Sequence, residues 1–190
     1  MSGLIFFPFN SQGADFERLL APYMDALYRL AYRFTGQRQD AEDLVQELLL
    51  RLYARRKQLH QVEELKPWLA RSLYNLYIDT LRQRQRSPLG RTDSDSEPHL
   101  SLMVDPAPQP DNQAELSETE KRLVAALDTL NESHRSLIIL HDMEGYTLKE
   151  LAQIFAIPTG TLKSRLHRAR RNLRDQLDWE PFGPQQRVTG

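Results

Sequence analysis

Residues Tyr146–Leu173 read YTLKELAQIFAIPTGTLKSRLHRARRNL and predict two short helices joined by a tight turn. Thr147 and Glu150 have the spacing of a capping box, in which each side chain bonds a free backbone N–H at the start of a helix. Pro158 is expected to end this first helix, because proline lacks the backbone N–H that a helix interior needs. The pattern is typical of a helix-turn-helix, whose second helix lies in a DNA groove.

The second predicted helix is strongly basic. Thr159 or Thr161 is expected to cap it. No acidic residue interrupts the stretch from Lys163 to Arg174, so the outer face offers positive charge to nucleic acid. Apolar residues at helical spacing mark the opposite, buried face: Leu162, Leu166, Ala169 and Leu173.

The composition of the 190-residue chain excludes several classes of protein. It has no run of about 18 apolar residues, so we expect no membrane insertion. The apolar stretch Leu4–Phe9 is too short for a secretory signal and lacks a basic flank and a cleavage site. The sequence has no cysteine, which fits the reducing cytoplasm where we expect the protein to act.

Charge is strongly segregated along the chain, although the formal net charge is only -1. Acidic residues crowd positions 40–47 and 93–118, whereas basic residues crowd positions 82–91 and 163–174. Segregation of this kind predicts separate surfaces for different partners.

Three helices are predicted in the N-terminal half. Apolar residues at helical spacing place the first over Phe16–Phe34, with Gly36 at its C-terminal cap. The second is expected over about Asp40–Gln58, and its polar side is acidic. The third is expected over about Trp68–Gln85, with Pro67 at its first position. By residue pattern alone, the acids are a solvated face that complements the helix dipole.

The third helix interleaves basic residues with Trp68 and Tyr77. Basic groups hold phosphates, and aromatic rings stack on unpaired bases. An amphipathic core helix with a charged outer face explains the same pattern. The acid-free end, Arg82–Arg86, favours nucleic-acid binding because it offers no partners for simple salt bridges.

Helical periodicity disappears from Ser87 to about Ala114, where five prolines stand among Ser, Asp and Glu. Such a segment cannot bury enough apolar surface to offset the entropy lost on ordering. We therefore predict an all-α protein with two small helical domains, at 15–90 and 116–176. A flexible acidic linker at 91–115 joins them, and a tail at 177–190 follows.

Two further helices are predicted ahead of the helix-turn-helix. Ser117 and Glu120 repeat the capping-box spacing, so a helix is expected to begin there. Another is expected over Glu132–Met143, with Gly145 as its stop. The sequence has no Gly-rich phosphate loop and no nucleophile elbow, and its five histidines are scattered. We therefore expect no enzymatic activity, no metal site and no cofactor.

Two separate stretches resemble one family, the bacterial sigma factors of the extracytoplasmic-function group. The N-terminal resemblance is carried by Asp40–Glu47 (DAEDLVQE), Trp68, Asn75, Asp79 and Arg82. The C-terminal resemblance is carried by Glu132–Arg135 (ESHR), Glu150–Ala152 and Gly160–Arg170 (GTLKSRLHRAR). A helix-turn-helix alone is weak evidence, but two matched domains in the right order are specific.

The resemblance implies roles that spacing alone does not assign. It places the contact with core RNA polymerase on the acidic helix: Asp40, Glu42, Asp43, Gln46 and Glu47. It places recognition of the promoter's minus-ten element around the third helix: Lys66, Trp68, Arg71, Tyr74, Asn75, Asp79, Arg82 and Arg84. It places the minus-thirty-five element on the basic helix: Thr161, Lys163, Ser164, Arg165, His167, Arg168 and Arg171. It also implies contact of Leu137, Ile138 and Leu140 with the polymerase flap, although core packing explains these residues equally well.

The predicted partners are core RNA polymerase, promoter DNA and an anti-sigma factor. The resemblance implies a factor that directs the polymerase to specific promoters and helps to open the DNA. The alternative is a conventional helix-turn-helix regulator, which binds DNA without the polymerase and dimerises on a palindromic site. That alternative leaves the acidic helix and the basic-aromatic helix without a role.

Overall fold

The computed structural model describes residues 11–86 and 118–177, and every regular element in these two ranges is helical. In residues 11–86 the N-terminal domain has five α-helices: α1 (Ser11–Leu20), α2 (Met24–Thr35), α3 (Arg38–Ala54), α4 (Arg56–Leu59) and α5 (Leu65–Arg86). In residues 118–177 the C-terminal domain has four: α6 (Glu118–Asp128), α7 (Glu132–Ile138), α8 (Leu148–Phe155) and α9 (Thr159–Leu177). The predicted all-α fold is confirmed. The predicted linker, Ser117 and positions 178–190 of the predicted tail lie outside the described residues.

The prediction of one helix over Phe16–Phe34 was wrong. The chain forms α1 and α2, separated by a single 3-10 turn at Ala21–Tyr23. Pro22 lies at the start of that turn, where its missing N–H prevents a regular α-helix from continuing. The predicted C-terminal cap of α2 is confirmed, because Gly36 has a φ of 72° and donates its N–H to the carbonyl of Tyr32.

Helices α3 and α5 begin or end a few residues from the predicted positions. Helix α3 ends at Ala54, and the residues up to Leu59 form the separate short helix α4. Helix α5 begins at Leu65, so Pro67 is its third residue rather than its first. The first turn of a helix tolerates proline because its N–H groups have no partner within the helix. Helical spacing predicts an apolar inner stripe on α3 made of Ala41, Leu44, Val45, Leu48, Leu52 and Tyr53. The first five are buried, as predicted, whereas Tyr53 is only half-buried.

The segment predicted as one helix over Glu132–Met143 changes its hydrogen bonding part-way. Helix α7 ends at Ile138, and Ile139–Met143 form a wider π turn. At the end of this turn the N–H of Glu144 bonds the carbonyl of Ile139, five residues back. Gly145 then reverses the chain with a φ of 71°, as the stop predicted there requires.

The two domains pack against each other. Phe34 and Leu73 lie in the N-terminal core, Leu137 and Leu166 in the C-terminal core, and all belong to one continuous cluster of buried apolar side chains. Helix α5 contacts α8 directly, and the rings of Tyr74 and Phe155 meet edge to face with 4.8 Å between their centroids. No helix in the described ranges has both the length and the apolar character needed to cross a bilayer.

Candidate nucleic-acid interface

Helix α8 begins with the predicted capping box. Thr147 Oγ1 accepts a hydrogen bond from the N–H of Glu150, and the N–H of Thr147 donates to Glu150 Oε2 at 2.8 Å. Burial opposes ionisation of Glu150, but the two bonds from Thr147 and the nearby Lys66 lower the pKa of its carboxyl. At the other end Ala156 adopts the left-handed conformation with a φ of 55°.

The predicted cap of α9 was wrong. The helix begins at Thr159, so both Thr159 and Thr161 lie inside its first turn. The carbonyl of Pro158 accepts a hydrogen bond from the N–H of Leu162 at 3.0 Å. This is the first bond of the helix, so the capping position is held by Pro158, one residue before Thr159. Proline has no N–H to donate but has an ordinary carbonyl, so Pro158 can accept the first hydrogen bond of the helix that follows it.

Helix α9 presents a basic outer face, as the sequence predicted. Leu162, Leu166 and Ala169 are buried and hold the helix on the domain. Arg170 Nη2 and Asp142 Oδ1 lie 2.5 Å apart, and this ion pair connects α9 to the π turn. Within the predicted minus-thirty-five set, Thr161 and Arg165 are half-buried, and five residues are exposed: Lys163, Ser164, His167, Arg168 and Arg171.

Two internal bonds orient the outer face of α9. Ser164 Oγ donates to the carbonyl of Thr161 at 2.9 Å, and Arg168 Nε donates to the carbonyl of Ser164 at 3.3 Å. Two arginines of α9 also act on His134 of α7. The pKa of His134 lies below its usual value, first because of burial and then because Arg168 and Arg165 lie nearby.

Helix α5 exposes most of the predicted minus-ten residues. Trp68 and Tyr74 are half-buried, and the other six are exposed: Lys66, Arg71, Asn75, Asp79, Arg82 and Arg84. The interpretation of Tyr77 as part of a stacking surface was wrong. Tyr77 is 4% exposed and stacks on Phe34 with 4.9 Å between ring centroids. The rings on this helix that remain partly accessible are therefore Trp68 and Tyr74, and Tyr74 also contacts Phe155 of α8.

Helix α3 carries the predicted polymerase-binding residues on its outer side. Glu42 and Asp43 are exposed, while Asp40, Gln46 and Glu47 are half-buried. Glu42 pairs with Arg38 at 2.9 Å, and Glu47 pairs with Arg51 at 2.7 Å. Asp43 accepts only a long 3.4 Å bond from Gln39, so its charge is the least compensated of the acids in this set.

Asp40 and Arg84 connect two surfaces that the sequence assigned to different partners. Arg84 Nη2 lies 3.0 Å from Asp40 Oδ2, which ties the end of α5 to the start of α3. Both side chains are partly exposed, so the pair is a weak one that a stronger ligand can displace.

A buried ion-pair cluster joins α2 to the π turn of the other domain. Glu144 Oε1 lies 2.5 Å from Arg33 Nε, and Glu144 Oε2 lies 3.2 Å from Arg29 Nε. The side chain of Glu144 is only 5% exposed. Because its charge is removed from water, its two arginine partners matter more than those of a surface pair.

Arg135 forms a second connection between the domains. Its guanidinium donates to the carbonyl of Phe34 at 3.0 Å and to the hydroxyl of Tyr77 at 2.6 Å, both in the N-terminal domain. It also pairs with Asp128 at 3.3 Å and Glu132 at 3.2 Å in its own domain. Arg135 is 6% exposed, and its Nε is the one buried side-chain nitrogen or oxygen atom of the described residues that has no hydrogen-bond partner.

A third set of contacts links Glu64 and Lys66, at the start of α5, to α8 and the residues just before it. Lys66 Nζ lies 3.8 Å from Glu150 Oε1 and 4.5 Å from the ring centre of Tyr146. Glu64 accepts hydrogen bonds from Gln153 Nε2 and, at 3.3 Å, from Lys149 Nζ. These bonds, first Gln153 and then Lys149, lower the pKa of the Glu64 carboxyl. Lys66 and Tyr74, both predicted to bind the minus-ten element, are thus in contact with the helix-turn-helix.

Comparison with known proteins places the chain in a family. Residues 19–87 match the family model of Sigma-70 region 2, and residues 126–175 match that of Sigma-70 region 4. The ECF RNA polymerase sigma factor EcfG of Rhodopseudomonas palustris is 34% identical over 166 residues, which cover 86% of this chain and 87% of that protein. The chain belongs to the ECF group of RNA polymerase sigma factors.

Other relatives of this ECF sigma factor differ in length. SigE of Mycolicibacterium smegmatis is 35% identical over 163 residues, but the match covers 86% of this chain and only 62% of that protein. A solved structure of the sigma factor RpoE from Bartonella quintana, in complex with the anti-sigma factor NepR, is 28% identical. It aligns with a TM-score of 0.63 and covers 87% of this chain and 98% of that one.

Leu137, Ile138 and Leu140 of this sigma factor, the candidate flap contacts, are each at most 4% exposed. Their burial supports the core-packing alternative. Sequence patterns missed the residues that join the domains: Arg29, Arg33, Glu64, Arg135, Glu144, Lys149 and Gln153. The sequence did contain one signal for Arg135. Glu132, Arg135 and Ser136 are spaced so that they share one face of α7, and this polar cluster lies next to Leu137, which is buried.

Proposed function

We propose that this protein directs core RNA polymerase to specific promoters and helps to separate the DNA strands there. The observation that carries the proposal is that region 2 and region 4 occur in one chain and each presents an exposed basic helix, α5 and α9. Helix α9 has the shape and charge to read duplex DNA in the major groove. Helix α5 combines exposed basic side chains with the aromatic ring of Trp68, and this combination suits DNA whose nucleobases are unstacked.

The polymerase carries out the chemistry, and this factor supplies recognition, so we propose no catalytic role for it and place its action in the cytoplasm. Helix α3 contacts the polymerase through its acidic face. An anti-sigma factor is a further proposed partner, supported by the Bartonella quintana sigma factor, which was solved with one.

The packed arrangement of the domains cannot engage both promoter elements at once. The minus-ten and minus-thirty-five elements are named for their positions, which are about 25 base pairs apart. This separation is about 85 Å along B-DNA, at about 3.4 Å per base pair. Tyr74 on α5 instead touches Phe155 on α8. Residues 87–117 can span about 100 Å when extended, so the chain is long enough for α5 and α9 to separate on the promoter.

Binding of promoter DNA is expected to depend on core polymerase. A gel-shift assay at physiological salt would compare the protein alone, core alone and the two together on promoter fragments. We expect a specific shift only with both, because the free protein holds its two DNA-binding helices together. Specific shifts by the protein alone, unchanged by core, would support the conventional regulator instead.

Asp43→Arg is expected to weaken binding to core polymerase by about tenfold or more, because like charges placed at an interface cost several kcal/mol. Asp43 is exposed, so the fold should be unchanged. The matched control is Asp25→Arg, which makes the same charge reversal at an exposed position on α2. Affinity for core, measured by fluorescence anisotropy, should fall for the first variant only. Equal affinities of the two variants for core polymerase would contradict the proposal that α3 binds the polymerase.

Arg168→Ala is expected to cost about 1–3 kcal/mol of discrimination at one base pair of the minus-thirty-five element, as loss of a bidentate guanine contact does. The measurement is binding of the polymerase complex to a panel of single-base variants of a mapped promoter. Arg174→Ala, also exposed but in the last turn of α9, is the control. An even loss across the panel would make Arg168 a phosphate contact rather than a base reader.

A further inference from the structure

Helix α8 carries two hydrogen-bond donors that converge on one anion from the other domain. Lys149 and Gln153 are four residues apart, so they lie on the same side of the helix. Both bonds go to the carboxylate of Glu64, one to each oxygen. The side chain of Lys149 is 79% exposed and that of Glu64 is 45% exposed, so this contact lies at the open edge of the domain interface.

The first helix of a helix-turn-helix, which is α8 here, also takes part in DNA binding. In a helix-turn-helix bound to DNA, the second helix enters the major groove and the first helix crosses the sugar-phosphate backbone. Lysine and glutamine are among the side chains that bind phosphate oxygens. A carboxylate and a phosphate both present negatively charged oxygens to such donors.

We propose that Glu64 is an intramolecular phosphate mimic: it occupies the phosphate-binding site that Lys149 and Gln153 form on α8. The DNA backbone and Glu64 then compete for the same two donors. This inference rests on the proposed function only in taking the α8–α9 motif to bind duplex DNA. It adds a reason for weak DNA binding by the free protein, because α9 remains exposed in the packed form while the backbone site on α8 is filled.

Neighbouring contacts fit a site that opens readily. Lys66 and Glu150, which flank the Glu64 contact, are 3.8 Å apart and partly exposed. Ion pairs of this kind are weak and are screened further by salt. Glu64 can therefore be displaced by the phosphates of a duplex held at α9, without unfolding either domain.

The test uses the full chain and a fluorescein-labelled duplex of 25 base pairs with mixed sequence, in anisotropy titrations from 50 to 200 mM KCl. Mixed sequence is sufficient, because phosphate contacts are independent of sequence. Glu64→Ala should bind this duplex about two- to fivefold more tightly than the natural chain, as removal of a weak competing ion pair predicts. Glu17→Ala is the matched control, because it removes the same charge at an exposed position on α1.

Adding Lys149→Ala to Glu64→Ala should abolish the gain and reduce the slope of log affinity against log salt by about one. An affinity for Glu64→Ala equal to that of Glu17→Ala would overturn the proposal. A gain that persists in the double variant would also overturn it, since Glu64 would then act only as a clasp between the domains. No polymerase is present in these titrations, so failure here is separate from failure of the polymerase-dependent assays.

Discussion

Glu144→Ala is expected to separate the two domains of the free protein. Glu144 lies in the C-terminal domain and is 5% exposed, while its partners Arg29 and Arg33 lie on α2 in the other domain. Removing the carboxylate takes away the anion that both arginines share, so their like charges then face each other across a partly buried interface. Loss of one partner in a fully buried pair costs about 3–5 kcal/mol. Because the arginines are partly exposed, we expect about 2 kcal/mol here, or about a 30-fold shift toward the open form.

The opening can be measured by energy transfer between two dyes. The sequence has no cysteine, so Lys57→Cys on α4 and Asn172→Cys on α9, both exposed positions, provide unique labels. Transfer efficiency should fall strongly when Glu144→Ala is added. The control is Asp142→Ala, two residues away, because Asp142 pairs with Arg170 inside the C-terminal domain. Equal efficiencies for the two variants would mean that Glu144 does not hold the domains together.

Arg135→Ala is expected to cause a large loss of thermal stability. The guanidinium bonds groups in both domains, and its removal takes an ion-pair partner from the partly buried carboxylates of Asp128 and Glu132. It also takes one bond from the hydroxyl of Tyr77, whose pKa burial already raises. Breaking a buried pair by removing one partner costs about 3–5 kcal/mol. For a chain of this size that is a fall in Tm of about 10 °C.

Melting followed by circular dichroism at 222 nm measures this loss. The control is Arg174→Ala, an exposed arginine near the end of α9, which should stay within about 2 °C of the natural chain. A similar result for Arg135→Ala would show that the buried arginine contributes no net stability. The desolvation of its charge would then offset all four of its contacts.

Sequence patterns predicted the features that depend on neighbouring residues. The capping box at Thr147 and Glu150, the stop at Gly36 and the inner stripe of α3 are all local. The first two are confirmed, and the stripe is confirmed except for the half-buried Tyr53. The break at Pro22 was also local, yet the apolar spacing on both sides of it continues in helical phase. That periodicity outweighed the proline in the prediction.

The packing of the domains could not be predicted in this way, since it depends on pairs that are distant in sequence. Arg29 and Glu144 are 115 residues apart, and Arg135 and Tyr77 are 58 apart. Periodicity shows that Tyr77 is an aromatic residue on a charged helix, but it does not show which surface will cover the ring. A single sequence gives no information on which distant partner a buried charge will find.

We propose above all that this chain gives core RNA polymerase its choice of promoter. The most direct measurement is transcription in vitro, with core polymerase and sheared genomic DNA as template, followed by mapping of transcript starts with and without the protein. We expect a set of starts that appear only with the protein and share two upstream motifs, one at each promoter element. A pattern of starts identical to that of core polymerase alone would contradict it.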